Sequence, residues 1–308
     1  GNFLLSKYEL KEKNYKEELE YLFKGHLYYN KSTNNKFQEG TNYALKELPK
    51  IFNISNLKNS KTSIDEENKK IKPIFIVGMP RCGSTLIEKV ISANDTTIPI
   101  GEETAILSKF FENEKISKKN SINIKEIDGY REKLLNKFEE KGLISQKANY
   151  IFTDKSLENF FYIGLIKQIF PAAKIINCKR NFLSSIISIL QNNLTGISWA
   201  HDIKNIFEYF DAYNKIIKGF NKEFPELIYD LKLEKFVNDP ETESKNLMKF
   251  CKLPWNKKCL EFYKRKDVIS QTASNIQVRK EIYKTSLEKH SPYKTFLDKY
   301  GKKYSWYI

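Results

Sequence analysis

A chain of 308 residues, 40% hydrophobic and 30% charged, can bury a substantial core and has the balance of a soluble globular protein, which argues against fibrous, disordered and disulfide-stapled classes. The net charge of +15 would suit an anionic ligand, yet only five of the 53 basic residues are Arg and the Lys are spread throughout, with no basic block or recognised nucleic-acid motif, so nucleic acid is not an expected partner. No apolar run approaches the ~18–20 residues that cross a bilayer, no leader stands out, and Cys82, Cys178, Cys251 and Cys259 lie far apart with no His at metal-ligand spacing; the expectation is a cytoplasmic chain with reduced thiols, no membrane and no metal.

Residues 1–55 read as helices. Phe3, Leu4, Tyr8 and Leu10 are followed by a break around Lys13-Asn14-Tyr15, then by Leu19, Tyr21, Leu22, Phe23 and Leu27 to Tyr29. An antiparallel pair turning at Asn14-Tyr15 is similar to the end of a tetratricopeptide repeat, a unit of about 34 residues. A plain helical hairpin packed on the rest of the protein fits the pattern equally well. Residues 56–72 are polar and aperiodic, as a linker would be, and separate this extension from a domain expected over 73–308.

Ile74-Phe75-Ile76-Val77 then runs into Gly78 and Pro80, and Leu86, Ile87, Val90 and Ile91 follow at helical spacing: buried strand, tight turn, helix. The backbone N–H groups of such a turn converge, and the helix it opens adds unpaired donors and a partial positive charge, so an anion is favoured there. Arg81 contributes a cation, Ser84 and Thr85 hydroxyl donors. The turn nearly spells G-x-x-x-x-G-K-[ST], but Ser84 stands where Lys would reach the β/γ-phosphates, so a phosphate is expected without γ-phosphate chemistry. The run Pro80-Arg81-Cys82-Gly83-Ser84-Thr85 resembles the 5′-phosphate loop P-R-[ST]-G-[ST]-[ST] of sulfotransferases that use 3′-phosphoadenosine 5′-phosphosulfate (PAPS), with Cys82 as the departure. The resemblance implies that Arg81, Cys82, Gly83, Ser84 and Thr85 hold that cofactor.

A short extended piece leads to Gly101-Glu102-Glu103-Thr104, after which Ile106, Leu107, Phe110 and Phe111 resume helical spacing. Paired acids at a helix start ordinarily serve its cap and dipole. This G-E-E-T run, about twenty residues past the loop, also resembles the corresponding segment of protein-tyrosine sulfotransferases, which implies Glu103 as catalytic base with Glu102 as its alternate. Residues 112–148 are charged, with one amphipathic helix through Tyr130, Leu134, Leu135 and Phe138.

A second strand, Tyr150 to Thr153, ends at Asp154-Lys155; a third, Ala173 to Cys178, ends at Lys179-Arg180; a helix follows each. Strands alternating with helices imply an α/β fold: a three-layer, phosphate-loop type of parallel sheet flanked by helices, with the N-terminal helical extension added. Ligands of such sheets collect at the carboxyl ends of strands, where Arg81, Lys155 and Arg180 all fall. T-D-K-x-x-x-N-F, I-G-L-I and F-P-x-A-K-I-I look like tetratricopeptide-linked sulfotransferases. That resemblance implies that Lys155 contacts the transferring sulfuryl group and that Arg180, with Ser188 about two helical turns on, binds the 3′-phosphate. Asn181 stands where relatives usually have Asp.

Residues 201–224 form an amphipathic helix, followed by a fourth strand, Leu227 to Leu231. Leu233 occupies the place of a Tyr that touches the cofactor in some family members. Thr272 to Tyr283 matches the family's T-A-S-x-x-Q-V-R-x-x-I-Y segment, a loop over the nucleotide, which implies contacts from Ser274, Gln277, Val278, Arg279 and the following Lys289. The combined expectation is a PAPS-dependent sulfotransferase whose acceptor is a peptidyl tyrosine, another phenol or a carbohydrate hydroxyl, with a homodimer left open. A nucleotide-triphosphate phosphotransferase and a non-catalytic repeat-type scaffold are the rival classes.

Overall fold

The computed structural model describes residues 1–33, 35–52, 70–95, 97–119, 121–122, 124–144, 151–264 and 288–307. In chain order its α-helices are α1 (Asn2–Lys11), α2 (Tyr15–Thr33), α3 (Asn35–Asn42), α4 (Ser84–Asn94), α5 (Ile106–Asn113), α6 (Ile124–Glu140), α7 (Ile163–Ile169), α8 (Phe182–Leu190), α9 (Ile203–Glu223), α10 (Leu233–Asn238), α11 (Pro240–Cys251) and α12 (Lys294–Gly301). Its strands are β1 (Ile74–Gly78), β2 (Ile100–Glu102), β3 (Thr153–Lys155), β4 (Lys174–Lys179) and β5 (Ile228–Lys232). The chain divides into two compact units: Lys50–Arg180 with Ile216–Lys284, and Gly1–Pro49 with Asn181–Lys215 and Thr285–Ile308.

The first unit is built on one parallel sheet in the order β2-β3-β1-β4-β5. Every residue of β1 is buried, as an Ile-Phe-Ile-Val run needs when both faces are covered. The strand order reverses at β1, between β3 and β4, which is where open parallel sheets form a crevice beyond their carboxyl ends. The register brings β2 and β3 to an end together at Glu102↔Lys155, and pairs Gly78 of β1 with Cys178 of β4. β2 answers the short extended piece before G-E-E-T with a paired edge strand. Ile76, Ile87, Val90, Ile176, Leu247 and Phe262 belong to one apolar cluster that joins the sheet to α4 and α11. The amphipathic helix expected from Tyr130, Leu134 and Phe138 is α6; its Arg131 donates to the last carbonyls of α7, Nε to Ile169 O at 2.6 Å and Nη2 to Gln168 O at 3.3 Å.

The second unit contains the helical pair foreseen at the amino end. α1 and α2 turn at Lys13 (φ +61°), where Asn14 N–H donates to Glu9 O at 2.9 Å. Gly25 lets the Phe3 ring approach, since a Cβ there would lie 3.1 Å from it. These helices pack with α8 and with the carboxyl-terminal segment, through buried polar bonds and ring contacts such as Phe23–Phe296 at 5.5 Å.

Candidate active site

β1 ends at Gly78 (φ +150°), where a Cβ would lie 2.6 Å from the carbonyl oxygen of Cys178 and 2.9 Å from Cys82 Sγ. The chain turns through Arg81 (φ +69°) and Gly83 (φ +94°) and enters α4 at Ser84. The first backbone bonds of this helix run from Leu86 and Ile87 to Gly83 O, at 3.0 and 3.3 Å, so Ser84 and Thr85, both buried, form its amino-terminal rim. Cys82 donates its N–H to Met79 O at 3.2 Å, while its side chain lies beneath the loop with Cys178. The hydrogen bond between the two thiols holds Cys82 below its usual range, against burial, and raises Cys178. Leu233 packs on the loop, and a Cβ on Gly83 would meet its Cδ1 at 2.8 Å. Leu233 thus supports the turn apolarly.

At the adjacent strand tips, Lys155 Nζ lies 2.6 Å from Glu103 Oε1 and 3.5 Å from Glu102 Oε1. The Lys155 side chain has no exposure, Glu102 has 14% and Glu103 52%. Burial pulls the Lys155 pKa down, but Glu88, Glu103 and Glu102 together outweigh it and raise it, so the group is an ammonium. The two acids do not cap α5. Glu102 ends β2 and Glu103 sits in the turn, while the first-turn amide of Ile106 donates to Thr104 Oγ1 at 3.2 Å. Glu103 (φ +51°) and Ala105 (φ +51°) both take the left-handed conformation, which costs about 1 kcal/mol per non-glycine residue. The tail of β3 holds that turn: Glu103 N–H donates to Lys155 O at 3.1 Å, Ala105 N–H to Ser156 Oγ at 3.0 Å, and Thr104 Oγ1 to Asp154 Oδ2 at 3.1 Å.

Arg180 follows β4, is 8% exposed, and donates from Nη1 to Arg81 O at 3.2 Å. Arg81, Lys155 and Arg180 therefore stand at the carboxyl ends of three neighbouring strands, β1, β3 and β4, and one of them braces the loop backbone directly. Ser188 is buried on α8 and Lys289 is half-buried near the carboxyl terminus; both belong to the helical unit. Ser274, Gln277, Val278 and Arg279 lie outside the described residues.

Two further acids near the strand tips are buried. Glu88, 1% exposed on α4, accepts from Thr153 Oγ1 at 3.2 Å; burial raises its pKa to about 8 although Lys155 acts to lower it. Asp154, fully buried, is raised by burial to about 6 against the hydroxyls of Ser156 and Thr104. An acid between Ile87 and Val90, on a helix face otherwise made for the core, was the available signal for Glu88. Asp154 lies inside the T-D-K run.

The profile of the Sulfotransferase family matches residues 73–257. An uncharacterized protein of Aquifex aeolicus (strain VF5) is 31% identical over 313 residues, covering 96% of this chain and 40% of that protein. Protein-tyrosine sulfotransferase 1 of Danio rerio is 24% identical over 202 residues, 61% of this chain and 55% of its own length. The chain thus spans between two fifths and just over half of these curated relatives. Among solved structures, the sulfotransferase domain from the Synechococcus PCC 7002 olefin synthase superposes with a TM-score of 0.51 at 16% identity, over 71% of this chain and 87% of that domain, and shares the fold. The chain belongs to the sulfotransferase family.

Proposed function

We propose that the protein transfers a sulfuryl group from PAPS to an acceptor hydroxyl, and that the acceptor is a phenol, foremost a peptidyl tyrosine. The observation that carries this reading is the buried Lys155 held by two carboxylates at the strand tips beside a phosphate-type loop. The loop fits the donor nucleotide. Its left-handed residues, the open end of α4 and the cations Arg81 and Arg180 suit a phosphate, and a side chain at Gly83 would press on Leu233. Arg81, Gly83, Ser84 and Thr85, with the backbone at Cys82, would hold the 5′-phosphate end. Arg180, Ser188 and Lys289 are the proposed 3′-phosphate contacts, and Ser274, Gln277, Val278 and Arg279 the contacts of the covering loop. When bound, PAPS supplies the sulfuryl group.

Glu103, the more exposed carboxylate, takes the proton from the acceptor hydroxyl as that oxygen attacks. Lys155 holds Glu103 in place and offers its ammonium to the negative charge that develops during transfer. Glu102 is the alternate base, since it also reaches Lys155. The G-E-E-T likeness and the tyrosine sulfotransferase relative of Danio rerio support the phenolic acceptor. Calorimetric titration with 3′,5′-diphosphoadenosine, with ATP–Mg as control, tests the donor: binding of the former is expected, and binding of ATP–Mg alone overturns the reading. Arg180→Ala should weaken 3′,5′-diphosphoadenosine far more than 5′-AMP. Equal losses would mean that Arg180 acts only by bracing Arg81 and does not read a 3′-phosphate.

A further inference from the structure

The helical unit contains a buried polar node that the proposed reaction does not use. Glu18 on α2 is 1% exposed, yet it accepts two hydrogen bonds from distant parts of the chain: Gln191 Nε2 to Oε1 at 2.9 Å, and Tyr293 OH to Oε2 at 2.5 Å. Gln191 Nε2 also donates to the Tyr293 hydroxyl at 3.2 Å, which closes a triangle of three side chains. Burial raises the Glu18 pKa, and the two hydrogen bonds and the charge of Lys289 act against it. Tyr15 adds an edge contact to the Tyr293 ring, with centroids 5.4 Å apart.

Gln191 terminates α8, and a second tie lies at the other end of that helix. Ser184 Oγ and His290 Nδ1 are hydrogen-bonded at 2.8 Å. Ser184, Ser188 and Gln191 are spaced i, i+4 and i+7, so they share one face of the helix. Residues 290 and 293 are thus fastened to that face, one at each end, with Ser188 between the fastenings and Lys289 beside the first of them.

We infer that Glu18 is a positioning residue for nucleotide binding: by joining Gln191 to Tyr293 it keeps the Lys289–His290 segment along the face of α8 that carries Ser188. This role rests on the reading that Ser188 and Lys289 contact the 3′-phosphate. It gives the N-terminal helices a part in cofactor selection through the Lys289–His290 segment. A lysine held in place loses less side-chain entropy on meeting a phosphate than one that must be ordered by it.

The test measures, on the full chain, the affinities for 3′,5′-diphosphoadenosine and for 5′-AMP in wild type, Glu18→Gln, Glu18→Ala and Tyr293→Phe. Glu18→Ala should lower the preference for the 3′-phosphorylated nucleotide about tenfold, a difference of about 1.4 kcal/mol, with 5′-AMP affinity nearly unchanged. Tyr293→Phe leaves Gln191 on Glu18 but removes both hydrogen bonds of the Tyr293 hydroxyl, so it should lower the preference by a similar factor. Glu18→Gln keeps one of the two acceptors and should lower the preference less than Glu18→Ala does. A purely structural role would shift both nucleotides equally and leave the ratio alone. Should Glu18→Ala fail to fold, Tyr293→Phe decides, and an unchanged ratio there overturns the inference. A wild type that prefers 3′,5′-diphosphoadenosine, with variants that keep that preference, refutes the role of Glu18 alone. A wild type without the preference refutes the 3′-phosphate reading beneath it.

Discussion

At the tips of β2 and β3 a fully buried Lys155 reaches for Glu103, which is 52% exposed, whereas in the helical unit the buried Glu18, His26 and His201 meet other enclosed groups or backbone carbonyls. His26 Nδ1 and His201 Nδ1 lie 3.0 Å apart, and burial lowers both rings, His201 to about 4. The difference separates a pair open to exchange from pairs that are closed. An ion pair with one member in water can exchange that partner for a ligand, because the exposed carboxylate regains hydration when it leaves. A pair enclosed on both sides cannot, since removing one member strands the other in a low-dielectric interior.

The largest expected effect falls on the exposed partner. Glu103→Gln should reduce turnover about a hundredfold or more by removing a general base, with nucleotide affinity nearly unchanged. If Glu102→Gln does this instead, the less exposed acid is the base and exposure is the wrong guide. On the enclosed side, His26→Ala leaves His201 Nδ1 and Leu190 O without their bonds, so it should cost about 2 kcal/mol of stability, read from denaturant melts, while saturated turnover stays within about twofold.

Glu88 and His201 oppose each other in pH. Glu88 has an ordinary value of 4.5 and is raised to about 8, so between these the folded chain holds a proton that the unfolded chain has lost, and stability falls as pH rises through that window. Asp154 adds the same slope from 3.8 to about 6. His201 acts in reverse: lowered from 6.5 to about 4, it makes stability rise with pH over that interval. Above about pH 6.5 only the Glu88 slope remains of these three, so the melting temperature should decline toward pH 8 in wild type and stay level in Glu88→Gln. A wild-type curve that is flat there would show that Glu88 is ionised in the folded chain. Smallest of all, Glu102→Gln should change turnover only about threefold, because Glu103 keeps the shorter contact with Lys155.

Much of the sheet unit was legible. β1, its loop and α4 are consecutive, so a β-branched run, a Gly and Pro turn and a 3.6-residue period announce each other without help from elsewhere. The tips carrying Lys155 and Arg180 followed from the alternation of strands and helices. β2 was harder: three residues carry no period, and their strand character comes from pairing with β3 more than fifty residues on. G-E-E-T itself was visible, but the positive φ of Glu103 and of Ala105 just after it, and the fastening of this turn to Asp154 and Ser156, were not. Nor did any local pattern indicate that residues 1–49 pack with 181–215 and 285–308.

The sequence by itself determined the order of strands other than β2, of turns and of helices, and which strand ends carry cations, because these depend on neighbours within a few positions. Only the tertiary structure decided how each charge is held. It buried Lys155 between Glu102 and Glu103, raised the pKa of Glu88 by burial, and tied Glu18 to Tyr293. A pKa and a partner depend on the dielectric and the groups that surround a side chain, and those are supplied by segments far away along the chain.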